Sequence, residues 1–210
     1  NLGNPIKDIL ILIMPIRNSP FPNQKEEKIL PIDIPLEIGE ICVAGSTVTD
    51  GYDQMPGPTR DARFVYKSNY FHRMGDLGYW DKNGNLRFMG RKAECIKTKN
   101  GPIETERYEP FVNTIDGIKR CALIGIGDGT IKEPSLVVEM STRSKYSPGG
   151  IIKKMRIALT QKFPELDIQR IFVQKKLPVD SRHNAKIHRL SLAKKWTRKV
   201  KKNQKLGMQS

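Results

Sequence analysis

Cysteine, aromatic residues and long apolar runs are all scarce in this chain of 210 residues. The three cysteines, Cys42, Cys95 and Cys121, are widely separated and odd in number, so they indicate neither a disulfide framework nor a metal site. The longest apolar run, around residues 9–13, is far too short to cross a bilayer, and no signal peptide is visible. These absences suit a reducing compartment, and we expect a cytoplasmic protein.

Acidic residues are also few, with 22 Asp and Glu against 37 Lys and Arg and a net charge of +15. Such an excess attracts polyanions: nucleic acid, an anionic membrane or a polyphosphate ligand. Because no stretch interleaves basic and aromatic residues, the sequence does not predict a base-stacking platform, and we expect no specific nucleic acid partner. Residues 194–205 contain seven cations and no acid. They predict a solvated basic tail at residues 195–210, for which contact with an anionic membrane is the alternative.

The most informative stretch is a hairpin flanked by a Gly-Asp pair and a Gly-Arg pair. Asn83-Gly84 predicts the hairpin turn, because both residues tolerate positive φ. The hairpin holds Asp76 before its first strand and Arg91 after its second. A carboxylate and a guanidinium are therefore expected close together at one open end of a small sheet.

The elements before and after this hairpin differ in kind. Before it, residues 7–14 and 37–45 predict strands, and the Pro-rich segments 15–28 and 54–60 predict loops. After it come a second hairpin with its turn at Asn100-Gly101, a helix near residues 106–114, two strands, a helix ended by Pro164, and a final strand. The sequence thus predicts an α+β protein with a β-rich part at residues 1–90 and a compact α+β domain at residues 91–194.

Gly75-Asp76, the hairpin and Gly90-Arg91 together resemble the end of the large domain of adenylate-forming enzymes. This superfamily includes acyl-CoA synthetases, peptide-synthetase adenylation domains and luciferases. The run Phe71-His72-Arg73-Met74-Gly75-Asp76 is most similar to the β-lactone synthetase branch of bacterial long-chain olefin biosynthesis. The resemblance implies that residues 1–90 are the end of a β-barrel subdomain and that residues 91–194 are a C-terminal lid.

The same resemblance assigns roles to residues around the hairpin. It implies that Asp76 and Arg91 bind the ribose hydroxyls of ATP. It also places a hinge at Arg91, Lys92 and Ala93, where Ala93 replaces the usual Asp or Lys. This replacement puts a two-pose cycle and thioester formation in doubt, and it favours closure of the acyl-adenylate to a lactone without CoA. We expect His72 to support Asp76 by a hydrogen bond or by packing.

A second polar stretch, residues 177–189, contains the candidate catalytic residue. Pro178 stiffens this loop, and Lys186 follows just before a helix, where a lysine can act as a mobile point charge for phosphate. In the family, a lysine of the last loop bridges the substrate carboxylate and the α-phosphate as pyrophosphate leaves, and Lys186 matches it. Ala185 stands where most of the family has Gly. His183-Asn184-Ala185-Lys186 is similar to the β-lactone synthetase branch, which makes Asn184 a supporting residue.

Several parts of a complete adenylating site are absent from the sequence. It contains no Ser/Thr/Gly-rich phosphate loop, and His183 and His188 have no third partner that would predict a metal site. ATP is the implied nucleotide, and the ligands of its Mg²⁺ are expected upstream of this chain, which opens on Asn1 rather than Met. We therefore expect a fragment that is inactive alone and that needs the missing N-terminal adenylation portion.

The predicted function is ATP-dependent activation of a fatty or β-hydroxy fatty acid as acyl-AMP, with release of pyrophosphate and closure to a β-lactone. A thioester-forming fatty acyl-CoA synthetase is the alternative within the family. Two other possibilities stay open from the residues alone. One is a basic nucleic-acid-binding module, and the other is a decayed reading frame without a present function.

Overall fold

The computed structural model describes residues 5–22, 29–49, 51–180 and 186–207, with side chains described up to residue 204. The chain divides into two compact units, Asn1–Ala93 and Glu94–Ser210. The division falls three residues after the end of the β-rich part that the sequence predicts. Each unit has its own hydrophobic cores.

The first unit is built on a five-stranded sheet. Its strands are β1 (Ile9–Met14), β2 (Gly39–Gly45), β3 (Arg63–Tyr66), β4 (Asn69–Trp80) and β5 (Leu86–Arg91). The order is β1-β2-β4-β3, all neighbours are antiparallel, and β5 pairs with the last part of β4. Across the described residues of this unit the sheet is open rather than closed into a barrel.

Both faces of this sheet are covered by apolar side chains. Met14 and Cys42 belong to one buried cluster, whereas the preceding residues, Ile13 and Ile41, belong to another. Successive side chains of a strand point to opposite faces. A strand buried on both faces needs apolar residues at successive positions, as Ile13 and Met14 at the end of β1 show.

The segment predicted as a loop at residues 54–60 contains a short helix, α1 (Pro56–Asp61). The prediction was wrong here because it treated proline as a general helix breaker. Pro56 stands at the start of the helix, where its missing N–H costs nothing and its fixed φ suits the first turn. The amides of Thr59 and Ala62 donate to the carbonyls of Met55 and Pro58, each at 3.0 Å.

The second unit is a mixed α+β domain, as the sequence predicts. Its elements are β6 (Ile96–Thr98), β7 (Gly101–Ile103), α2 (Thr105–Asn113), β8 (Ile118–Ile126), β9 (Glu133–Met140), α3 (Pro148–Lys162), β10 (Arg170–Val173) and α4 (Arg189–Gly207). Strands β6 and β7 form the second hairpin. In the three-stranded sheet, β9 pairs antiparallel with β8 and parallel with β10.

Helices cover both faces of the three-stranded sheet. Leu123 and Leu136 pack on one face with residues of α2 and α3. Ala122 and Val137 pack on the other face with Leu192 of α4. The alternation along β8 and β9 therefore sets which helix lies on which side.

The predicted basic tail at residues 195–210 differs from the structure, because α4 continues to Gly207. Leu192, Trp196 and Val200 follow at intervals of four residues and pack against the core. Trp196 stacks on Phe172 with ring centroids 4.0 Å apart. The basic residues are thus the outer face of an anchored helix. None of the helices in the described ranges is long and apolar enough to cross a membrane.

Candidate functional site

The β4–β5 hairpin brings Asp76 and Arg91 together. Its turn is held by the Asp81 carboxylate, which accepts hydrogen bonds from the amides of Asn83 and Asn85, both at 2.9 Å. Gly84 has a φ of 75°, the positive value that the turn prediction allows, whereas the φ of Asn83 is not positive. The pairing that starts at this turn sets Asp76 directly opposite Arg91.

The two side chains form an ion pair, in which Arg91 Nε lies 3.0 Å from Asp76 Oδ1. A second guanidinium nitrogen, Nη1, donates to the carbonyl of Met74 at 3.3 Å. The Arg91 side chain is half exposed, whereas that of Asp76 is 18% exposed. The sequence-predicted nucleotide-binding pair is therefore assembled by a rigid element and open to solvent on one side.

Asp76 has unused capacity to accept hydrogen bonds. Its Oδ1 atom is buried and, among the described residues, accepts no hydrogen bond, because the contact with Arg91 does not have hydrogen-bond geometry. Burial raises the pKa of Asp76 above its ordinary value, and the charge of Arg91 only partly offsets this effect. A buried polar atom that accepts no hydrogen bond is costly. The carboxyl group is thus suited to a ligand that brings hydroxyl donors.

A cleft of about 450 Å³ opens beside Met74 and Gly75, the residues immediately before Asp76. Gly75 has a φ of 66°, which favours glycine. Apart from the glycine and its two chain neighbours, no atom of the described residues lies within 4 Å of the position that a Cβ would take. The backbone at Gly75, just before Asp76, is therefore not covered by other side chains of the described residues.

His72 has a different partner from the one that the sequence suggested. Its Nε2 lies 3.5 Å from the Tyr52 hydroxyl, and the two rings meet edge to face. Among the described residues its side chain makes no hydrogen bond to Asp76. Burial and the charge of Arg63 lower the pKa of His72. The expected hydrogen bond to Asp76 is thus not made, and His72 packs against the ring of Tyr52.

A buried ion cluster that the sequence analysis missed lies beneath this cleft. Glu40 is 1% exposed and accepts from Arg73 at 2.6 Å and from Lys92 at 2.8 and 2.9 Å. Arg73 also donates to the carbonyl of Arg17 at 2.6 Å. One signal could have revealed this cluster: Glu40 is a charged residue within the otherwise apolar strand β2.

Two of the three predicted hinge residues are therefore held by side-chain contacts within the first unit. Arg91 is bound to Asp76, and Lys92 is bound to Glu40. Ala93, the last residue of this unit, has no side chain that could make such a bond. A hinge motion about these residues stays a prediction.

Lys186, the candidate catalytic residue, belongs to the second unit. Val179 and Ile187 form an isolated antiparallel bridge, and the amide of Asp180 donates to the Lys186 carbonyl at 2.9 Å. These contacts fix the backbone of Lys186, while its side chain is exposed. Asn184 and Ala185 lie outside the described residues.

Arg189 is held by acids that are far away in the sequence. Its guanidinium contacts both carboxylate oxygens of Glu109 at 2.6 and 2.9 Å and Glu94 at 2.9 Å. Glu109 also accepts from the amide of Leu123 at 2.7 Å. These contacts raise the pKa of Arg189, although burial opposes them. These ion pairs therefore anchor the chain three positions after Lys186. Arg189 is not a free cation for phosphate.

Known proteins are similar to this chain in sequence. The olefin β-lactone synthetase of Stenotrophomonas maltophilia is 36% identical over 197 residues, which are 91% of this chain and 35% of that protein. The olefin β-lactone synthetase of Xanthomonas campestris is 38% identical over 163 residues, 75% of this chain and 29% of that protein. The chain thus spans about a third of the length of these curated relatives.

Solved structures share the fold. ATP-bound MatB from Rhodopseudomonas palustris superimposes with a TM-score of 0.70 at 18% identity, over 91% of this chain and 35% of that one. No protein-family model matches the chain. On the evidence of its sequence relatives and its fold, the chain belongs to the adenylate-forming enzymes, as a C-terminal part, with olefin β-lactone synthetases among its relatives.

Proposed function

We propose that the intact protein activates a fatty or β-hydroxy fatty acid as acyl-AMP, releases pyrophosphate and closes the product to a β-lactone. The observation that carries this proposal is the Asp76–Arg91 pair with its unsatisfied carboxylate oxygen, in a chain whose relatives at 36–38% identity are olefin β-lactone synthetases. The chain itself is the C-terminal part of the proposed enzyme. The acyl pocket and the phosphate loop belong to the proposed remainder of the protein.

In this proposal Asp76 accepts hydrogen bonds from the ribose hydroxyls of ATP. A hydroxyl donor offers the Oδ1 atom the hydrogen bond that it lacks in the described structure. Hydrogen bonds to an ionised group are worth about 1.5–3 kcal/mol. Arg91 keeps the Asp76 carboxylate charged and in place, and its half-exposed guanidinium also reaches the ribose.

Lys186 acts on the reacting groups themselves. A carboxylate that attacks the α-phosphate is an anion meeting an anion, and further charge develops as pyrophosphate departs. A lysine ammonium at that place stabilises the transition state, and a preorganised charge of this kind is worth roughly 3–4 kcal/mol. The fixed backbone and exposed side chain of Lys186 suit a cation that must reach a ligand.

Mg²⁺ would neutralise the leaving pyrophosphate. The described residues contain no group of three or more His, Cys, Asp or Glu side chains placed to hold a metal ion. We therefore propose that its ligands come from the upstream portion. The residues of this chain then bind the ribose and the α-phosphate rather than the metal.

The test uses the intact protein with ATP and a long-chain β-hydroxy acid in the absence of CoA. We expect pyrophosphate and a β-lactone, and we expect Lys186→Ala to slow pyrophosphate release about 100- to 1,000-fold. Lys175→Ala, which removes another exposed lysine of the same unit, is the matched control and should retain full activity.

Two results would change the assignment. A product that forms only when CoA is present would identify the alternative, a fatty acyl-CoA synthetase. Absence of ATP-dependent pyrophosphate release with fatty acids of any chain length would contradict the proposed adenylation of a fatty acid.

A further inference from the structure

The outer face of α4 carries a dense array of cations. Six exposed basic residues form what we call the basic face: Lys194, Lys195, Arg198, Lys199, Lys201 and Lys202. At about 100° per residue they fall within an arc of about 160°. The helix contains no acidic residue, so the charge is not neutralised within α4.

Packing holds this array in place. The opposite side of α4 is fixed by Leu192, Trp196 and Val200 against the core of the second unit. Lys195 donates to the Gln174 side chain at 2.8 Å, which leaves its charge intact. Only Lys201 pairs with an acid of the described residues, Asp128. The basic face is therefore a preformed surface and not a flexible tail.

Residues next to α4 add to the positive charge of the basic face. Lys175 and Lys176 are exposed and directly follow Gln174, the partner of Lys195. Leu190 is 53% exposed and lies one turn before Lys194, at the edge of the same arc. The surface thus combines up to eight cations with one exposed apolar side chain.

We propose that the basic face docks the protein onto the surface of an anionic lipid bilayer. A helix of 19 residues with cations along one side offers its charge to a plane of phosphate headgroups. Nucleic acid is less suited, because the aromatic ring of this helix, Trp196, is stacked on Phe172 and is not offered to a base. Because the apolar side of α4 packs on its own core, adsorption is electrostatic and the helix does not insert its apolar face.

This inference goes beyond the proposed reaction and does not depend on it. The test is flotation of the intact protein with vesicles of phosphatidylcholine, with and without roughly a quarter of phosphatidylglycerol. We expect binding to the anionic vesicles only, with release by high salt, because exposed charges are screened.

The decisive variant replaces three residues along the centre of the arc: Lys194→Gln, Arg198→Gln and Lys202→Gln. Each lost cation should lower the partition coefficient about 5-fold, so the triple variant should bind about 100-fold more weakly. The matched control removes three exposed lysines elsewhere, Lys82→Gln, Lys145→Gln and Lys153→Gln, and it should lose much less.

Three outcomes would overturn the proposal. The first is absence of binding to anionic vesicles at low salt. The second is an equal loss in the triple variant and its control, which would reduce the effect to net charge. The third is displacement of the vesicles by duplex DNA at physiological salt, which would assign the basic face to nucleic acid. The circular dichroism spectrum of the triple variant verifies that α4 is still folded.

Discussion

Asp76 is the residue whose environment most clearly indicates a ligand-binding site. Its buried oxygen faces a guanidinium at 3.0 Å but accepts no hydrogen bond from the described residues. Burial also raises the pKa of this carboxyl group, and the charge of Arg91 offsets that effect only in part. Both features would change if hydroxyl groups of a nucleotide bound there.

Asp76→Asn in the intact protein should weaken ATP binding by about 10- to 100-fold, because an amide accepts hydrogen bonds without the charge. Isothermal titration calorimetry measures the change directly. Asp53→Asn, at an exposed position of the same unit, is the control and should leave ATP affinity unchanged. Equal affinities of the two variants would remove Asp76 from the nucleotide site.

Glu139 is another buried acid, and its partners satisfy it. Its side chain accepts from the amide of Leu177 at 2.8 Å and pairs with Lys119 at 2.7 Å. Burial alone would raise its pKa, but the hydrogen bonds from Lys119 and Leu177 and the charge of Arg120 lower it below the ordinary value. The ionised form therefore stabilises the fold. That stabilisation is complete above the unfolded pKa, near 4.5, and is lost as pH falls through the folded value.

Glu139→Gln should consequently lower the free energy of unfolding by about 2 kcal/mol at neutral pH. The difference from the parent protein should shrink as the pH falls below about 4.5. Urea unfolding at several pH values measures both effects. Glu165→Gln, in an ion pair that is half exposed on both sides, should have little effect at any pH. A loss for Glu139→Gln that is independent of pH would contradict the lowered pKa.

At the scale of elements, one ion cluster joins three segments of the second unit. Arg189 at the start of α4 binds Glu109 of α2 and Glu94, the first residue of this unit. All three side chains are at most 15% exposed. The start of α4, and with it the end of the Lys186 loop, is thereby tied to the segment that follows the predicted hinge.

Arg189→Met should destabilise the second unit by about 3–5 kcal/mol, since it leaves two carboxylates buried without their partner. Arg107→Met is the matched control, because its pair with Glu165 is half exposed and such pairs contribute about 1 kcal/mol or less. Thermal unfolding followed by circular dichroism measures both variants.

A second substitution tests the cause of that loss. If the unpaired Glu109 is responsible, the double variant Arg189→Met with Glu109→Met should recover much of the lost stability. Stability losses that simply add in the double variant would show that the two residues act independently.

At the scale of the whole molecule, the chain covers about a third of its curated relatives. It holds a ribose-binding candidate in the first unit and a phosphate-binding candidate in the second. Its sequence contains no phosphate loop. In the proposed function, the β- and γ-phosphates of ATP are held by the rest of the protein.

The 210 residues alone should show no ATP-dependent release of pyrophosphate with any fatty acid, because nothing in the sequence would cradle the β- and γ-phosphates. A coupled pyrophosphate assay on the isolated chain tests this, with the intact protein as the positive control. Turnover by the isolated chain above the rate of a Lys186→Ala version would prove the prediction wrong.

Much of this protein follows from local patterns in the sequence. Asn83-Gly84 determines the hairpin turn, and the hairpin register brings Asp76 to Arg91, because turn geometry and strand pairing act over short distances. The α+β order of the second unit follows from apolar periodicity in the same way. The short helix α1 escaped prediction because its prolines are compatible with a helix start as well as with a loop.

The tertiary structure alone decided which charges far apart in the sequence meet. Glu40 pairs with Lys92, which is 52 residues away in the sequence, and Arg189 pairs with Glu109, which is 80 residues away. No local pattern encodes such pairs, because they depend on how strands and helices pack. Packing also turned residues 195–207 from a predicted tail into a two-faced helix, since Trp196 and Val200 have a core to cover only once the sheet has formed.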